Sequence, residues 1–437
     1  MSTHTLNVLD SAAQIGTVEY ESLDERFSFQ YTDDWRKAVG SYSISPHIEL
    51  RGQQASASGT VRRFLENLLP EGRALDVVCT THQVAKNNLY GLIRELGQET
   101  SGALSFVAGE ARQAKQTARR EIHKQELKQR IDERARIPFA VWDGRVRMSI
   151  AGYQDKLAVY LDQDNRMYLV EGELASTQIL KPEPMDNRLA MLVANEHFSM
   201  SLARRLGLSV ASVSILRVPD PILLVERFDR VRQTQRVHRR HIIDSCQALN
   251  FPVAYKYERN FGSGREVRDI RDGVSFERLF SVADYTVEKA VTRIGLLRWA
   301  LFQYLIGNSD AHGKNVSFFC NPAGLALAPH YDLVSVVQYD GLDHELAMAY
   351  GDEFHLEQIR PYDWAEFAAR TGTPRSLLMR EMRRIGTIAP EAAALQAAET
   401  LYEGQEKALV SRIAEFVRRQ ATKLIEMASS VMAVSLD

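Results

Sequence analysis

The chain has 437 residues, of which 45% are hydrophobic and 25% charged, with a formal net charge of −2. That length exceeds one ordinary core and points to two or three subdomains, and the composition excludes a disordered or fibrous protein. A charge this close to zero gives no global attraction to nucleic acid, so only local basic clusters are left for that role. Cys79, Cys246 and Cys320 are far apart in sequence and form no CxxC pair. A disulfide framework or zinc site is therefore not expected, and a reducing cytoplasm fits. The opening "MSTHTLNVLD" has no basic stretch followed by an apolar one, which argues against a signal peptide. The most apolar helix candidate, "IGLLRWALFQYLIG", is too short to span a bilayer and carries Arg298, so no membrane association is expected.

In chain order, "LNVLD", "QIGTVEY" and "RFSFQY" read as strands of a small sheet. "SGTVRRFLENLLPEGRALDVV" has helical spacing, with Val61, Phe64, Leu65 and Leu68 on one side and Pro70 ending it. "NNLYGLIRELG" is a second helix, stopped by Gly97. Residues 1–110 are thus expected to form an α/β subdomain. Residues 111–138 are strongly charged and poor in bulky apolar side chains, and read as a solvated linker helix. From 139 to 230 strand-like runs return ("RVRMSIAG", "DKLAVYLD", "RMYLVEG", "TQILKP", "PILLVERFD"), interrupted by one helix, "MDNRLAMLVANEHFSMSLARRLGL". Strands, one helix, then more strands is the order of a small kinase-like lobe. From 231 to 437 the pattern is helical. "VEKAVTRIGLLRWALFQYLIG" is a buried helix with Val291, Ile294, Leu297, Leu301 and Leu305 in register, and "VSFFCNPAGLALAPHYDL" is a hairpin turning at "NPAG". A long amphipathic segment lies near 396–428.

The buried helix delivers the chain to "NSDAHGKN", where Asp310 and Asn315 stand five residues apart. Protein kinases place a catalytic Asp and a magnesium-binding Asn at that spacing: the Asp accepts the proton of the attacking hydroxyl and the Asn holds the ion. Beyond the hairpin, Asp332 in "YDL" occupies the place of a second magnesium ligand. Magnesium takes oxygen ligands and keeps waters, so one amide and one carboxylate from the protein suffice. A polar loop capped by Asp310 is the bland alternative. His312 has no second His at ligand spacing, so zinc is not expected there. Lys181 ends the apolar run "TQILKP", as a strand lysine gripping nucleotide phosphates would, and Glu196 on the next helix is its candidate ion-pair partner. Glu226, Arg227 and Phe228 in "LLVERFDR" are candidates for the connector on which adenine docks. No G-x-G-x-x-G precedes Lys181. "SIAGYQDK" stands there instead, offering Gly152 for close backbone approach and Ser149 and Lys156 as phosphate contacts.

Taken together, "MSIAGYQDKLAVY", "ILKP", "VERFDR", "GNSDAHGKNVSFF" and "YDLVS" resemble, in this order, the motifs of HipA-like serine/threonine kinases, the toxin components of bacterial type II toxin–antitoxin modules. "FLENLLPEG" and "GALSF" resemble that family's N-terminal subdomain. The resemblance implies an α+β, two-lobed protein-kinase-like fold with an extra N-terminal α/β subdomain and an all-helical C-terminal lobe. It implies Asp310 as catalytic base, and Asn315 and Asp332 as ligands of Mg2+. ATP would be bound by the phosphate-covering residues Ala151, Gly152, Tyr153, Gln154, Asp155 and Lys156, by Lys181, and by the hinge residues Glu226, Arg227 and Phe228. His312, Lys314 and Tyr331 are further candidate ATP contacts. Ser149 matches the family's autophosphorylated serine, whose modification places a dianion beside the ATP phosphates and ejects the loop.

The resemblance also implies partners. These are a HipB-like helix-turn-helix antitoxin, operator DNA through the antitoxin complex, and a protein substrate of the aminoacyl-tRNA synthetase class, glutamyl type. Arg236, Arg239 and Arg240, or Arg380, Arg383 and Arg384, are basic clusters that could meet a phosphate backbone, or could simply be solvated faces. Two other readings stay open on the motifs: a small-molecule phosphotransferase sharing the Asp–Asn loop, and a catalytically silent kinase-like corepressor.

Overall fold

Period-two alternation near the N-terminus becomes an antiparallel sheet in the computed structural model, which describes residues 3–52, 56–109, 117–147, 154–172, 174–233 and 236–436. Its strand order is Arg26–Tyr31, Ala13–Glu21, Thr3–Asp10, Leu104–Val107. Leu6, Val8, Phe27, Phe29, Leu104 and Phe106 are all buried, because alternate residues share one face of a pleated strand. The helices Ser58–Glu66 and Leu89–Leu96 bury Val61, Phe64, Leu92 and Ile93 in the same core. Each such side chain contributes about 1.5–3 kcal/mol relative to exposure.

The chain divides into two units, the first comprising Met1–Pro182, Leu216–Val253 and Phe318–Ala326. Besides the N-terminal sheet, the first unit holds most of a six-stranded sheet. Its order is Val213–Val218, Asp220–Glu226, Gln178–Pro182, Leu157–Leu161, Met167–Glu171, Ala118–Ile122. The last strand lies inside the charged stretch read as a linker helix. Among the described residues of that stretch only Lys124–Asp132 is α-helix, and Ala118–Ile122 pairs antiparallel with Met167–Glu171. The cause is where its few apolar residues fall: Ile122, Leu127 and Ile131 are buried in one core with Phe139, Trp142 and Leu157. Its arginines sit on an edge strand, where charge discourages pairing with other chains.

The second unit comprises Glu183–Ile215, Ala254–Ser317 and Leu327–Asp437. It is built on the helices Leu192–Arg205, Lys289–Ile306, Pro361–Arg370, Arg375–Ala397 and Gln405–Val431, the last two packed along each other. Its centre is aromatic: Trp364 has ring centroids 4.6 Å from Tyr350, 5.5 Å from Tyr304 and 5.6 Å from Phe367. The helical region expected at the C-terminus is present, but 231–437 is not all helix. Glu345–Tyr350 pairs with Glu353–His355, an apolar run turned back by Gly351 at φ 64°. The helix expected from Met185 starts only at Leu192. Met191 sits at φ 63°, which breaks the helix, and the Glu183 carboxylate caps the new start by accepting from the N–H groups of Leu192 (3.0 Å) and Val193 (3.1 Å). Among the described residues no helix is long and apolar enough to cross a membrane.

Candidate active site

The helix Lys289–Ile306 ends because Gly307 adopts φ 65°, a left-handed conformation that glycine takes without steric cost. A side chain there would also meet Val337 at 2.7 Å. Asn308 then pins the turn. Its Nδ2 donates to Gln303 Oε1 at 2.9 Å and its Oδ1 accepts from the Asp310 N–H at 3.1 Å. The Ser309 carbonyl accepts from the Ala347 N–H at 2.9 Å. From 301 to 320 every residue is buried except Asp310. The loop is thus a rigid support that exposes one carboxylate.

A single 3-10 turn, Gly313–Asn315, closes the loop. Within it the His312 N–H donates to Asn315 Oδ1 at 3.0 Å, and Asn315 Nδ2 donates to Asp332 Oδ2 at 3.0 Å. The structure therefore brings the two candidate metal ligands into direct contact. Asp332 holds φ 58°, a left-handed conformation that Asp tolerates better than most residues. Tyr331 is turned to a structural task, its hydroxyl donating to the Lys314 carbonyl at 2.6 Å and lying 2.7 Å from Ser317 Oγ. Lys314 and His312 are buried. Burial first, then the charges of Lys256 and Lys314, push the His312 imidazole down to about 3, against the opposing pull of Asp332, so it is neutral at pH 7.

Sequence reasoning did not find Tyr257. Its hydroxyl donates to Asp310 Oδ1 at 2.5 Å, and its ring stands edge-on to His312 with centroids 5.1 Å apart. No local motif marks it, since 53 residues separate it from Asp310. Asn308 was findable, as an Asn immediately after a helix-ending glycine in "GNSD".

Most of the remaining candidates lie in the first unit. Lys181 is 8% exposed on the strand Gln178–Pro182, opposite Leu223. Lys156 is 6% exposed, immediately before the strand Leu157–Leu161, and Gln154 and Asp155 are half-buried. Glu226 is exposed at the end of its strand. The Arg227 side chain is committed elsewhere: it pairs with Asp229 at 2.8 Å and donates to Ser176 Oγ at 2.8 Å, while its N–H donates to the Thr177 carbonyl at 3.0 Å. Phe228 is half-buried with its ring edge-on to Phe319, 5.9 Å between centroids. Ser149, Ala151, Gly152 and Tyr153 lie outside the described residues. Glu196 is 1% exposed on the helix Leu192–Arg205 of the second unit. Of the basic clusters, Arg240 stacks 3.6 Å over the Phe319 ring, Arg239 donates to Ser105 Oγ at 3.1 Å, and Arg384 donates to the Leu206 carbonyl at 3.1 Å.

Residues 6–107 match the HipA N-terminal domain and residues 148–399 the HipA-like C-terminal domain. The chain is 43% identical over 395 residues to the serine/threonine-protein kinase toxin HipA of Shewanella oneidensis, covering 90% of this chain and 89% of that protein. It is 30% identical over 437 residues to the putative kinase Y4mE of Sinorhizobium fredii, covering 98% of this chain and all of the relative. A solved structure of the Shewanella oneidensis HipA, HipB and operator DNA complex matches with a TM-score of 0.88 at 39% identity, over 99% of this chain and 100% of that one. The two domain models and the relatives identify one family: the chain belongs to the HipA family of serine/threonine-protein kinase toxins.

Proposed function

We propose that the chain transfers the γ-phosphate of ATP to protein serine or threonine hydroxyls with Asp310 as the general base. The supporting observation is Asp310 standing exposed on an otherwise buried loop, with Asn315 and Asp332 hydrogen-bonded to each other beside it. In the proposed step the acceptor hydroxyl donates to Asp310. Its oxygen attacks the γ-phosphorus while the proton passes to the carboxylate, and the bond from that phosphorus to the bridging oxygen breaks to release ADP. Asn315 and Asp332 carry hard oxygen donors on side chains already in contact, so they fit Mg2+ and would hold it once the Asn315 Nδ2–H bond to Asp332 gives way to the amide oxygen. That ion, when bound, supplies neutralisation of phosphate charge. Lys181 and the residues 151–156 are assigned to the phosphates, with His312 and Lys314 as further contacts, and Glu226 and Phe228 to the adenine. Arg227 contributes to that connector by holding its backbone, since its side chain is taken by Asp229.

The finer reading follows the family. The chain acts in the cytoplasm as the growth-arresting toxin of a HipBA-type module, is neutralised by a HipB-like helix-turn-helix antitoxin, and joins it on operator DNA as corepressor. The relative whose complex with HipB and operator DNA was solved supports those two partners. Its substrate is an aminoacyl-tRNA synthetase, glutamyl type, and phosphorylation of Ser149 switches it off.

The test is Asp310→Gln in the full chain. Transfer of labelled phosphate from ATP should fall by about 10²–10⁴-fold with the thermal midpoint unchanged. Activity at the wild-type level would reject the assignment. In cell extract the label should enter a protein band, whereas label in a soluble metabolite would favour a small-molecule phosphotransferase.

A further inference from the structure

The Asp310 carboxylate leaves a buried loop on a short side chain, and two rotatable bonds separate it from the backbone. Burial of its neighbours does not fix the direction of its oxygens. Tyr257 does. The phenol donates to Oδ1 at 2.5 Å, within the range of strong hydrogen bonds to an ionised acceptor. We infer that Tyr257 is a positioning residue for Asp310, holding one oxygen so that the other faces the incoming hydroxyl. This rests on the reading of Asp310 as the base.

Three further observations make the placement deliberate. First, the Tyr257 backbone is tied to the catalytic loop from both sides. The Lys256 carbonyl accepts from the Gly313 N–H at 2.9 Å, and the Glu258 N–H donates to the carbonyl of Ala347, on the strand Glu345–Tyr350, at 2.9 Å. Ala347 in turn donates to Ser309, next to Asp310. Second, the ring is fixed in azimuth by the perpendicular His312 ring at 5.1 Å and by the Lys256 ammonium 5.2 Å from its centroid. Third, Glu258, the next residue, is buried and anchored: it accepts from Arg271 Nε at 2.7 Å and from the Ala349 N–H at 2.8 Å. The hydroxyl is thus carried by a segment with little freedom to move away.

Tyr257→Phe tests this, because it removes the hydroxyl and keeps the ring against His312. Single-turnover and steady-state transfer from labelled ATP with Mg2+ are measured on the full chain, with Asp310→Gln as reference. We expect kcat to fall about 10- to 100-fold, as for loss of a hydrogen bond to a charged group, with KM for ATP within about twofold and an unchanged thermal midpoint. Wild-type kcat in Tyr257→Phe would overturn the inference and leave the ring as simple packing. A faster Tyr257→Phe would also overturn it, since the hydroxyl would then be obstructing the base. Retained transfer in Asp310→Gln would overturn the base assignment itself, whatever Tyr257→Phe does.

Discussion

Asp229→Asn removes one charge from a buried ion cluster in the first unit while keeping its volume. Asp229 is 4% exposed and accepts from Arg227 Nε at 3.1 Å, Arg227 Nη2 at 2.8 Å, Arg230 Nη1 at 2.7 Å and the Gly102 N–H at 2.8 Å. Burial alone would raise its carboxyl pKa, but the two guanidinium groups and the Gly102 N–H hold it far below the usual carboxylate range. With the charge gone, Arg227 and Arg230 remain, 5% and 8% exposed, with like charges close together. Glu99, 3.5 Å from Arg227, compensates one of them in part. Breaking a buried pair on one side costs about 3–5 kcal/mol. For a unit of this size that is a fall of about 10 °C in the melting midpoint. Calorimetry at pH 7 on wild type and Asp229→Asn reads it directly. The sign with pH is also fixed: a folded pKa below the unfolded value gives stability that is full above about pH 4 and is lost as pH falls towards the folded value. Asp229→Asn should flatten that acid arm. A midpoint within about 2 °C of wild type, with the acid arm intact, would refute the reasoning.

Gly307→Ala should cost about 2–4 kcal/mol, since it places a side chain at φ 65° and 2.7 Å from Val337, and it should lower kcat by re-aiming Asn308 and Asp310; thermal melting and single-turnover transfer check both. His197, His241 and His330 are held at about 4 by burial, below the usual 6.5. Their folded pKa values lie below the unfolded one, so stability is full above about pH 6.5 and each residue removes up to about 3 kcal/mol as pH falls towards 4. Urea midpoints between pH 7 and 4.5 should fall accordingly, and His330→Gln should give a shallower slope than wild type.

The N-terminal sheet was legible because each strand shows one buried face in period two, and the sequence needs no partner to reveal it. The Asp310–Asn315 spacing was legible because the loop is short and closes on itself, as the His312 N–H to Asn315 bond shows. The strand Ala118–Ile122 was not, because an edge strand needs few apolar residues and Ile122 is the one it buries. The late start of the helix at Leu192 depends on Glu183, a residue outside the helix pattern whose capping role appears only when the chain folds back. Arg227 was a connector candidate in the sequence. The fate of its side chain was not, because Asp229 two residues on and Ser176 far upstream compete for it. Tyr257 illustrates the general limit, since a hydroxyl brought in from another segment leaves no trace in local spacing.

Holding Asp332 at φ 58° costs about 1 kcal/mol or more, so something must hold it there. Part of the answer is Asn315. The rest lies three residues on, at Ser335, which is fully buried. Its N–H donates to Asn195 Oδ1 at 2.8 Å, its carbonyl accepts from Asn195 Nδ2 at 3.0 Å, and its hydroxyl donates to the Ile306 carbonyl at 2.6 Å. Asn195 lies on the helix Leu192–Arg205, and Ile306 is the last residue of the helix that leads to Asp310. The segment after Asp332 is therefore bolted to two helices, one of which also sets the start of the Asp310 loop. The strain at Asp332 and the position of Asp310 are consequences of the same anchorage, so the proposed base and the proposed metal-ligand pair are fixed relative to each other by helix packing within one unit rather than by the loop's own preferences.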